Sequence, residues 1–201
     1  MSGSPDPIEV ALGAPDPEAM AAARRFADRA ALGGADLFYA TEASPLGALL
    51  LVAGKRGLVA LHYVSGDIDV TLDDLARRRS PRIVESAAAL DPWRRELAEY
   101  FDGTRRSFEA PLDWSELNGF RRRVLRATAA IPYGEHRSYK AVATEAGSPA
   151  AARAAGNALG SNPLAIVIPC HRVRHTGGGL GGYTGGLERK ESLLALESGL
   201  G

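Results

Sequence analysis

The stretch from 138 to 160 reads SYKAVATEAGSPAAARAAGNALG. Its pattern predicts a helix capped by Ser138 that runs through Ala146 and is stopped by Gly147. Ser148-Pro149 opens a second helix at once, running to about Gly160. Two short helices across a one- or two-residue turn form a helix-turn-helix shape. The second helix is nearly all small residues: Ala150, Ala151, Ala152, Ala154, Ala155, Gly156 and Ala158, with Arg153 the only charge between Ser148 and Pro163. So smooth a helix can approach a bulky partner closely and project Arg153 alone. A tightly packed core helix with one solvated arginine fits the same residues.

The segments on either side extend this helical module. Ser115–Ala130 sets Leu117, Phe120, Val124 and Thr128 on one face and stops before Pro132. Downstream, Leu164–Ile168 is an apolar run ending in Pro169. A loop with seven glycines between Gly177 and Gly186 follows, then a last helix, Leu187–Glu197. Upstream the pattern becomes β. Asp36–Glu42, Ala48–Ala53 and Leu58–Val64 are short apolar runs separated by the turns Ser44-Pro45-Leu46-Gly47 and Gly54-Lys55-Arg56-Gly57. Asp91-Pro92 reads as the cap and first turn of a helix with Trp93, Leu97, Tyr100 and Phe101 as its stripe and Gly103 as its stop. Ser107–Leu112 reads as one more strand. The expected class is α/β (α+β), in three parts. An extension, 1–35, has a tail rich in Pro, Gly and Asp and a helix over Pro17–Leu32. An α/β domain occupies 36–113, and a helical domain 114–201.

Composition narrows the function. The 201 residues are 45% hydrophobic and 24% charged, ordinary for a globular protein. No apolar run approaches the ~20 residues of a membrane helix, and the N-terminus has no secretory pattern. The expectation is a cytoplasmic protein. One cysteine cannot form an internal disulfide, and no Cys-x-x-Cys knuckle, P-loop or dinucleotide fingerprint exists. No cofactor and no metal are expected. The net charge of zero hides an asymmetry: Ser115–Lys190 carries eleven Lys/Arg against four Asp/Glu, and the rest thirteen against twenty. A basic second module suits a polyanion such as nucleic acid, although a solvated basic face has the same composition.

The lone cysteine sits in Pro169-Cys170-His171-Arg172-Val173. A thiol has little thiolate at neutral pH unless a base or a positive charge lowers its pKa. His171 adjoins it, and Arg172 and Arg174 add charge nearby. Neighbours on a straight strand face opposite ways, so a Cys–His pairing needs a turn, which Pro169 can make. A buried structural cysteine is the bland alternative. On the last helix Leu187, Lys190, Leu194 and Glu197 share a stripe that two charges interrupt. Glu197 could orient His171 in nucleophile–base–orienter fashion, or simply solvate a helix end.

Taken together, these residues resemble the O6-alkylguanine-DNA alkyltransferase family. The matching stretch runs from Ile131-Pro-Tyr-Gly-Glu to Glu197. It includes Ser138-Tyr139, Ala152-Arg153-Ala154, Gly156, Asn162-Pro163, Ile168-Pro-Cys-His-Arg-Val173, Gly182-Tyr183, Gly185-Gly186-Leu187 and Lys190-Glu191. Ser44-Pro-Leu-Gly47 and Tyr100-Phe-Asp-Gly103 extend the likeness more loosely to the first module, so it covers about 36–198. The resemblance implies a ribonuclease-H-like N-terminal module followed by a DNA-binding helix-turn-helix module. It implies a monomer that binds double-stranded DNA bearing O6-alkylguanine and moves the alkyl group, once and irreversibly, from O6 of guanine or O4 of thymine to Cys170. In that scheme His171 is the base, acting through a water, and Glu197 orients it. Tyr139 gives a proton to the departing guanine, Asn162 holds the turn before the site, and Lys190 supports it. Arg153 takes the flipped nucleotide's place in the stack, flanked by Ala152, Ala154 and Gly156 as DNA-facing positions. Val173, Tyr183, Thr184 and Gly185 border the base pocket.

Some relatives carry a Cys/His metal site in the first module, but here only His62 stands there, so no zinc is expected. The four-cysteine sensor domain of other relatives is also missing, which disfavours a transcriptional role. Non-reactive relatives replace the acceptor cysteine, whereas this chain keeps Cys170. Two rival readings are a lesion-binding module without chemistry and a cysteine hydrolase built on Cys170, His171 and Glu197, for which no oxyanion hole is visible.

Overall fold

A computed structural model describes residues 34–199. The expected tail and the Pro17–Leu32 helix lie outside the described residues. The chain divides after Trp114 into two compact units.

In the first unit the three apolar runs form β1 (Leu37–Glu42), β2 (Leu49–Gly54) and β3 (Gly57–Tyr63), an antiparallel meander. The short β4 (Ile83–Glu85) adds parallel to β1, giving the order β3-β2-β1-β4. Every residue of β2 is buried, as its unbroken Leu-Leu-Leu-Val-Ala run demands of a strand covered on both faces. Gly47 N–H closes the β1–β2 turn onto the Ser44 carbonyl at 3.0 Å. Leu37, Leu50, Val52, Val59 and Ala60 pack with Leu75 as the core.

Leu75 belongs to α1 (Ile68–Arg78), in the stretch between Val64 and Asp91 that goes unassigned in the sequence reading. Asp67 caps α1 by accepting from Asp69 N–H, and Arg77 and Arg78 lie in its last turn. Next, α2 (Asp91–Phe101) buries Trp93, Leu97 and Tyr100. Asp91 is not its cap, contrary to expectation: a 3₁₀ turn over Ala88–Leu90 leads in, and Asp91 pairs with Arg94 from the first turn.

The expected strand Ser107–Leu112 does not form; only Leu112 bridges to Leu58. Two ladder bonds are made at Leu58, its N–H to the Pro111 carbonyl and Asp113 N–H to its carbonyl, both at 2.9 Å, and side chains hold the rest of the segment. The buried Glu96 carboxylate accepts from Glu109 and Ala110 N–H at 3.0 Å, and Trp93 Nε1 donates to the Pro111 carbonyl at 3.0 Å. Asp113 then anchors the segment to α1 through Arg79 at 2.7 Å.

The second unit begins with α3 (Gly119–Ala129), which starts four residues later than predicted because Asn118 is still extended. Phe120 is only half-buried, whereas Val124, Leu125 and Thr128 are buried. The helix-turn-helix consists of α4 (Tyr139–Glu145), capped by Ser138 as expected, and α5 (Ala152–Gly160). The connection is longer than predicted. Ser148-Pro149-Ala150-Ala151 makes a tight turn closed by Ala151 N–H to the Ser148 carbonyl at 2.9 Å, so helix begins only after it. Two arginines of α3 hold this pair from behind. Arg123 Nε donates to the Ala146 carbonyl at 2.8 Å, and Arg121 donates to the Ser161 carbonyl. Each cation thus sits on a helix C-terminus, where orphan carbonyls and the dipole favour it. A two-residue parallel pairing joins β5 (Arg137–Ser138) to β6 (Val173–Arg174), and α6 (Leu187–Ser198) ends the unit. Leu187, expected on the buried stripe of α6, is half-exposed; Lys190, Leu193, Leu194 and Glu197 are the buried positions.

Gly57 offers a direct check on the first unit. At its positive φ of 127° an added Cβ would lie 2.3 Å from the Pro111 carbonyl oxygen. Gly57→Ala is expected to destabilise by about 3 kcal/mol in urea unfolding, through backbone strain and a clash with the segment Leu58 binds. A loss below ~1 kcal/mol would contradict this packing.

Candidate active site

After α5 the backbone wraps around one side chain. Asn162 is buried, its Oδ1 accepts from Leu164 N–H at 3.1 Å, and its Nδ2 lies 2.9 Å from the Ile168 carbonyl and 3.3 Å from Cys170 Sγ. The run Leu164–Ile168 is buried as expected, but it is a tight, irregular loop. Within it the β-branched Ile166 is held at a φ of 70°, a strained conformation of the kind that persists where surrounding structure over-determines it. Pro169 then leads into a 3₁₀ turn over Cys170–Arg172, the turn that a Cys170–His171 arrangement requires.

Behind this turn lies a chain of buried groups. His171 Nε2 and Glu197 Oε1 are 2.9 Å apart. Arg172 forks onto the same carboxylate, with Nη2 at 2.8 Å from Oε1 and Nε at 2.9 Å from Oε2, and Gly134 N–H reaches Oε2 at 3.2 Å. Burial alone would raise the Glu197 pKa, but the bonds from His171 and Arg172 hold it at about 2. Burial depresses the His171 pKa more than Glu197 raises it, so the imidazole is neutral. A carboxylate at Nε2 requires the proton there, which leaves Nδ1 as the acceptor. Among the described residues Nδ1 is buried without a hydrogen-bond partner, and its lone pair is the one able to take a proton.

The sequence reading sets Arg172 and Arg174 beside the thiol as positive charges. The structure corrects this for Arg172, whose charge is committed to Glu197. The cation acting on Cys170 is Lys190, fully buried, with Nζ donating to the Val173 carbonyl at 2.7 Å and to that of Leu180. Burial brings Lys190 down to about 8, partly offset by the charge of Cys170. Burial likewise pushes the Cys170 thiol up, against the Asn162 hydrogen bond and the Lys190 charge.

Cys170 forms part of the wall of a cleft of about 630 Å³, shared with Tyr139, Arg153, His175, Tyr183 and Thr184. Ala152, Gly156 and Gly182 also line it, so α5 does present its small residues there. Arg153 and Ala154 are exposed on the first turn of α5, Arg153 at the cleft and Ala154 away from it. Burial, then the neighbouring Cys170 charge, raises the Tyr139 pKa. Thr184 Oγ1 donates to the Gly160 carbonyl at 3.1 Å, tying the glycine-rich loop to the end of α5. Val173 and Gly185, expected to border a base pocket, do not line the cleft: Val173 is fully buried, and the Gly185 carbonyl accepts from Arg189. Sequence reasoning missed Arg172 as the partner of Glu197 and His175 as a cleft residue; a basic residue two positions after a buried nucleophile gives no hint of which charge it meets. Among the described residues no three His, Cys, Asp or Glu side chains group as metal ligands would, and no helix is long and apolar enough to cross a membrane.

Fold and site together define a two-module protein with a cysteine–histidine–glutamate site set against a helix-turn-helix. Residues 37–114 match the family model of the 6-O-methylguanine DNA methyltransferase ribonuclease-like domain, and residues 119–199 that of the DNA binding domain. The chain is 44% identical over 161 residues to the methylated-DNA–protein-cysteine methyltransferase of Mycolicibacterium paratuberculosis, covering 79% of this chain and 91% of that one. It is 40% identical over 163 residues to the protein of the same name from Methanosarcina barkeri, covering 80% and 97%. The crystal structure of Mycobacterium tuberculosis OGT in complex with DNA superposes with a TM-score of 0.68 at 39% identity, covering 81% of this chain and 94% of that chain. The chain belongs to the 6-O-methylguanine DNA methyltransferase family.

The Glu197 network yields a pH test. A carboxyl held at about 2 against an ordinary 4.5 contributes stability that is present above 4.5 and lost as pH falls toward 2. Glu197→Gln should therefore be less stable than the parent at pH 6, by on the order of 3 kcal/mol. The gap should close as pH drops from about 5 to 2 in chemical denaturation. A gap independent of pH would disprove the carboxylate pairing.

Proposed function

We propose that this protein repairs DNA by direct reversal, taking an alkyl group from O6 of guanine, and by the same chemistry from O4 of thymine, onto Cys170 in a single turnover. The observation that carries the proposal is the Cys170 sulfur in the wall of a cleft edged by α5, with His171 and Glu197 bonded behind it. The family to which the chain belongs, and the DNA complex solved for a relative, support DNA as the partner. A target carbon inside a duplex must first be extruded, which costs a few kcal/mol, less for a damaged pair. Arg153, projecting from a helix of small residues, is suited to fill the gap, and the basic second module to hold the phosphates.

The proposed step balances as follows. His171 Nδ1, through a water, takes the Cys170 thiol proton, and Lys190 and Asn162 favour the sulfur's negative charge. The sulfur attacks the alkyl carbon in line, a C–S bond forms, and the C–O bond breaks with its electron pair on the guanine oxygen. Tyr139 gives its proton to a ring nitrogen of that base and regains one from solvent, to which His171 releases the proton taken from the thiol. Its hydroxyl makes no hydrogen bond among the described residues, which leaves it available for this. The product is a thioether that cellular thiols do not reverse, so no second turnover follows. Residues 36–113 are taken as the ribonuclease-like domain and 114–201 as the acceptor domain, in a monomer. A lone nucleophilic thiol also suits the reducing cytoplasm.

Mass spectrometry after incubation with O6-methylguanine duplex is expected to find one added methyl on the Cys170 peptide, and Cys170→Ala to bind the same DNA without transfer. An unmodified Cys170 peptide would sink the proposal. Arg153→Ala is expected to slow transfer on duplex on the order of tenfold or more while barely changing reaction with the free base. An equal effect on both substrates would remove Arg153 from the extrusion step.

A further inference from the structure

The proposed chemistry gives no task to His175. His175 lines the same wall as Cys170 and Tyr139. Its place is set by the pairing of β5 with β6, in which Arg137 is level with Val173 and Ser138 with Arg174. The next residues in this parallel register are Tyr139 and His175. Their rings accordingly meet, with centroids 5.1 Å apart and planes inclined at 44°. The backbone of His175 is itself fixed. Its N–H donates to the Gly179 carbonyl at 2.8 Å, and its carbonyl accepts from Gly178 N–H at 3.0 Å. A small closed turn thus holds the imidazole beside the phenol.

Two glycines also lie against Tyr139. A Cβ added at Gly156 would lie 3.7 Å from Tyr139 Cε1. At Gly181, where φ is +68°, it would lie 2.5 Å from the hydroxyl oxygen, so the loop backbone passes directly over the phenol tip. Against these two glycines, which offer no side chain, His175 bounds the phenol with a ring. The Tyr139 hydroxyl, with no hydrogen bond among the described residues, has nothing of its own to fix its pose.

We infer that His175 is a positioning residue for Tyr139, its ring confining the phenol to the pose from which the hydroxyl serves the substrate. This rests on the reading that Tyr139 supplies a proton to the departing base. Positioning of this kind acts on the reacting geometry, where a small misplacement is costly, and leaves the DNA-binding surface alone.

Single-turnover transfer from O6-methylguanine duplex, measured with the full chain at saturating protein alongside the DNA Kd, tests this. His175→Ala is expected to slow transfer on the order of tenfold with the Kd unchanged, and His175→Phe, which restores a ring without the imidazole's polarity, to recover most of the rate. In a Tyr139→Phe background His175→Ala should add no further loss. Should His175→Ala fail to fold, His175→Asn takes its place with the same expectations. A parental rate for His175→Ala overturns the inference, as does an undiminished loss in the Tyr139→Phe background. So does a weakened Kd with the saturated rate unchanged, which would make His175 a DNA contact. A parental rate for Tyr139→Phe itself removes the proton role of Tyr139 and the inference with it, whereas a slow Tyr139→Phe beside a fast His175→Ala leaves the proton role standing.

Discussion

A buried carboxylate sits at the centre of the second unit, and much of the surrounding geometry follows from its need to be satisfied. Moving an ion out of water costs several kcal/mol even after relaxation, so Glu197 is tolerable only with its oxygens occupied. Arg172 supplies a fork, His171 one ring nitrogen and Gly134 a backbone N–H. These donors come from the 3₁₀ turn that carries Cys170 and from the loop before β5, so one carboxylate fixes α6 against both. Arg172 also donates to the Ile131 carbonyl, which ties the end of α3 into the same knot. The orientation of His171 is therefore a consequence of charge neutralisation: with Nε2 committed to Glu197, only Nδ1 is left to act as a base.

The nucleophile is set in opposition to its surroundings. Burial raises the Cys170 thiol, and two groups pull the other way: the Asn162 amide at 3.3 Å and the Lys190 ammonium. Lys190 bears the same desolvation, which brings it down to about 8 against the pull of the Cys170 charge, and the carbonyls of Val173 and Leu180 accept its protons. Both carbonyls belong to the chain that leaves the cysteine turn. The thiol is thus poised by a cation that the active-site loop itself holds. An Arg172 free to act on the sulfur would have served the same end, but it would have left Glu197 an unpaired buried charge.

Much of the architecture was legible because it obeys local rules. The meander β1–β3 follows from apolar runs between turn residues, and α4 from the Ser138 cap and Gly147 stop. What was missed is non-local. Residues 107–112 have strand-like composition, but pairing with β3 is confined to Leu58, because the carboxylate of Glu96 takes the N–H groups of Glu109 and Ala110. Helix α1 has a thin apolar stripe, with Leu75 its only buried residue, and draws its definition from the Asp67 cap and from packing on the sheet. In the site, the grouping of Cys170, His171 and Glu197 was visible through the motif and the spacing along α6. Their wiring was not, since which of several arginines meets a distant carboxylate depends on the turn at 170–172.

Helix α5 shows why a run of small residues can be more constrained than a run of large ones. Gly156 faces the Tyr139 ring, and the helix edges the cleft with Ala152, Gly156 and Gly160. A helix so poor in side chains cannot anchor itself by burying much apolar surface; Ala155, Ala158 and Leu159 are its buried residues. Its position is instead fixed at its ends. The Ser148–Ala151 turn sets the entry, Arg121 holds the Ser161 carbonyl at the exit, and Thr184 fastens Gly160 to the glycine-rich loop. The apolar anchoring that a smooth surface gives up is replaced by hydrogen bonds at the termini. These leave the face that carries Arg153 bare, and a bare face is what close approach to a broad, flat partner requires.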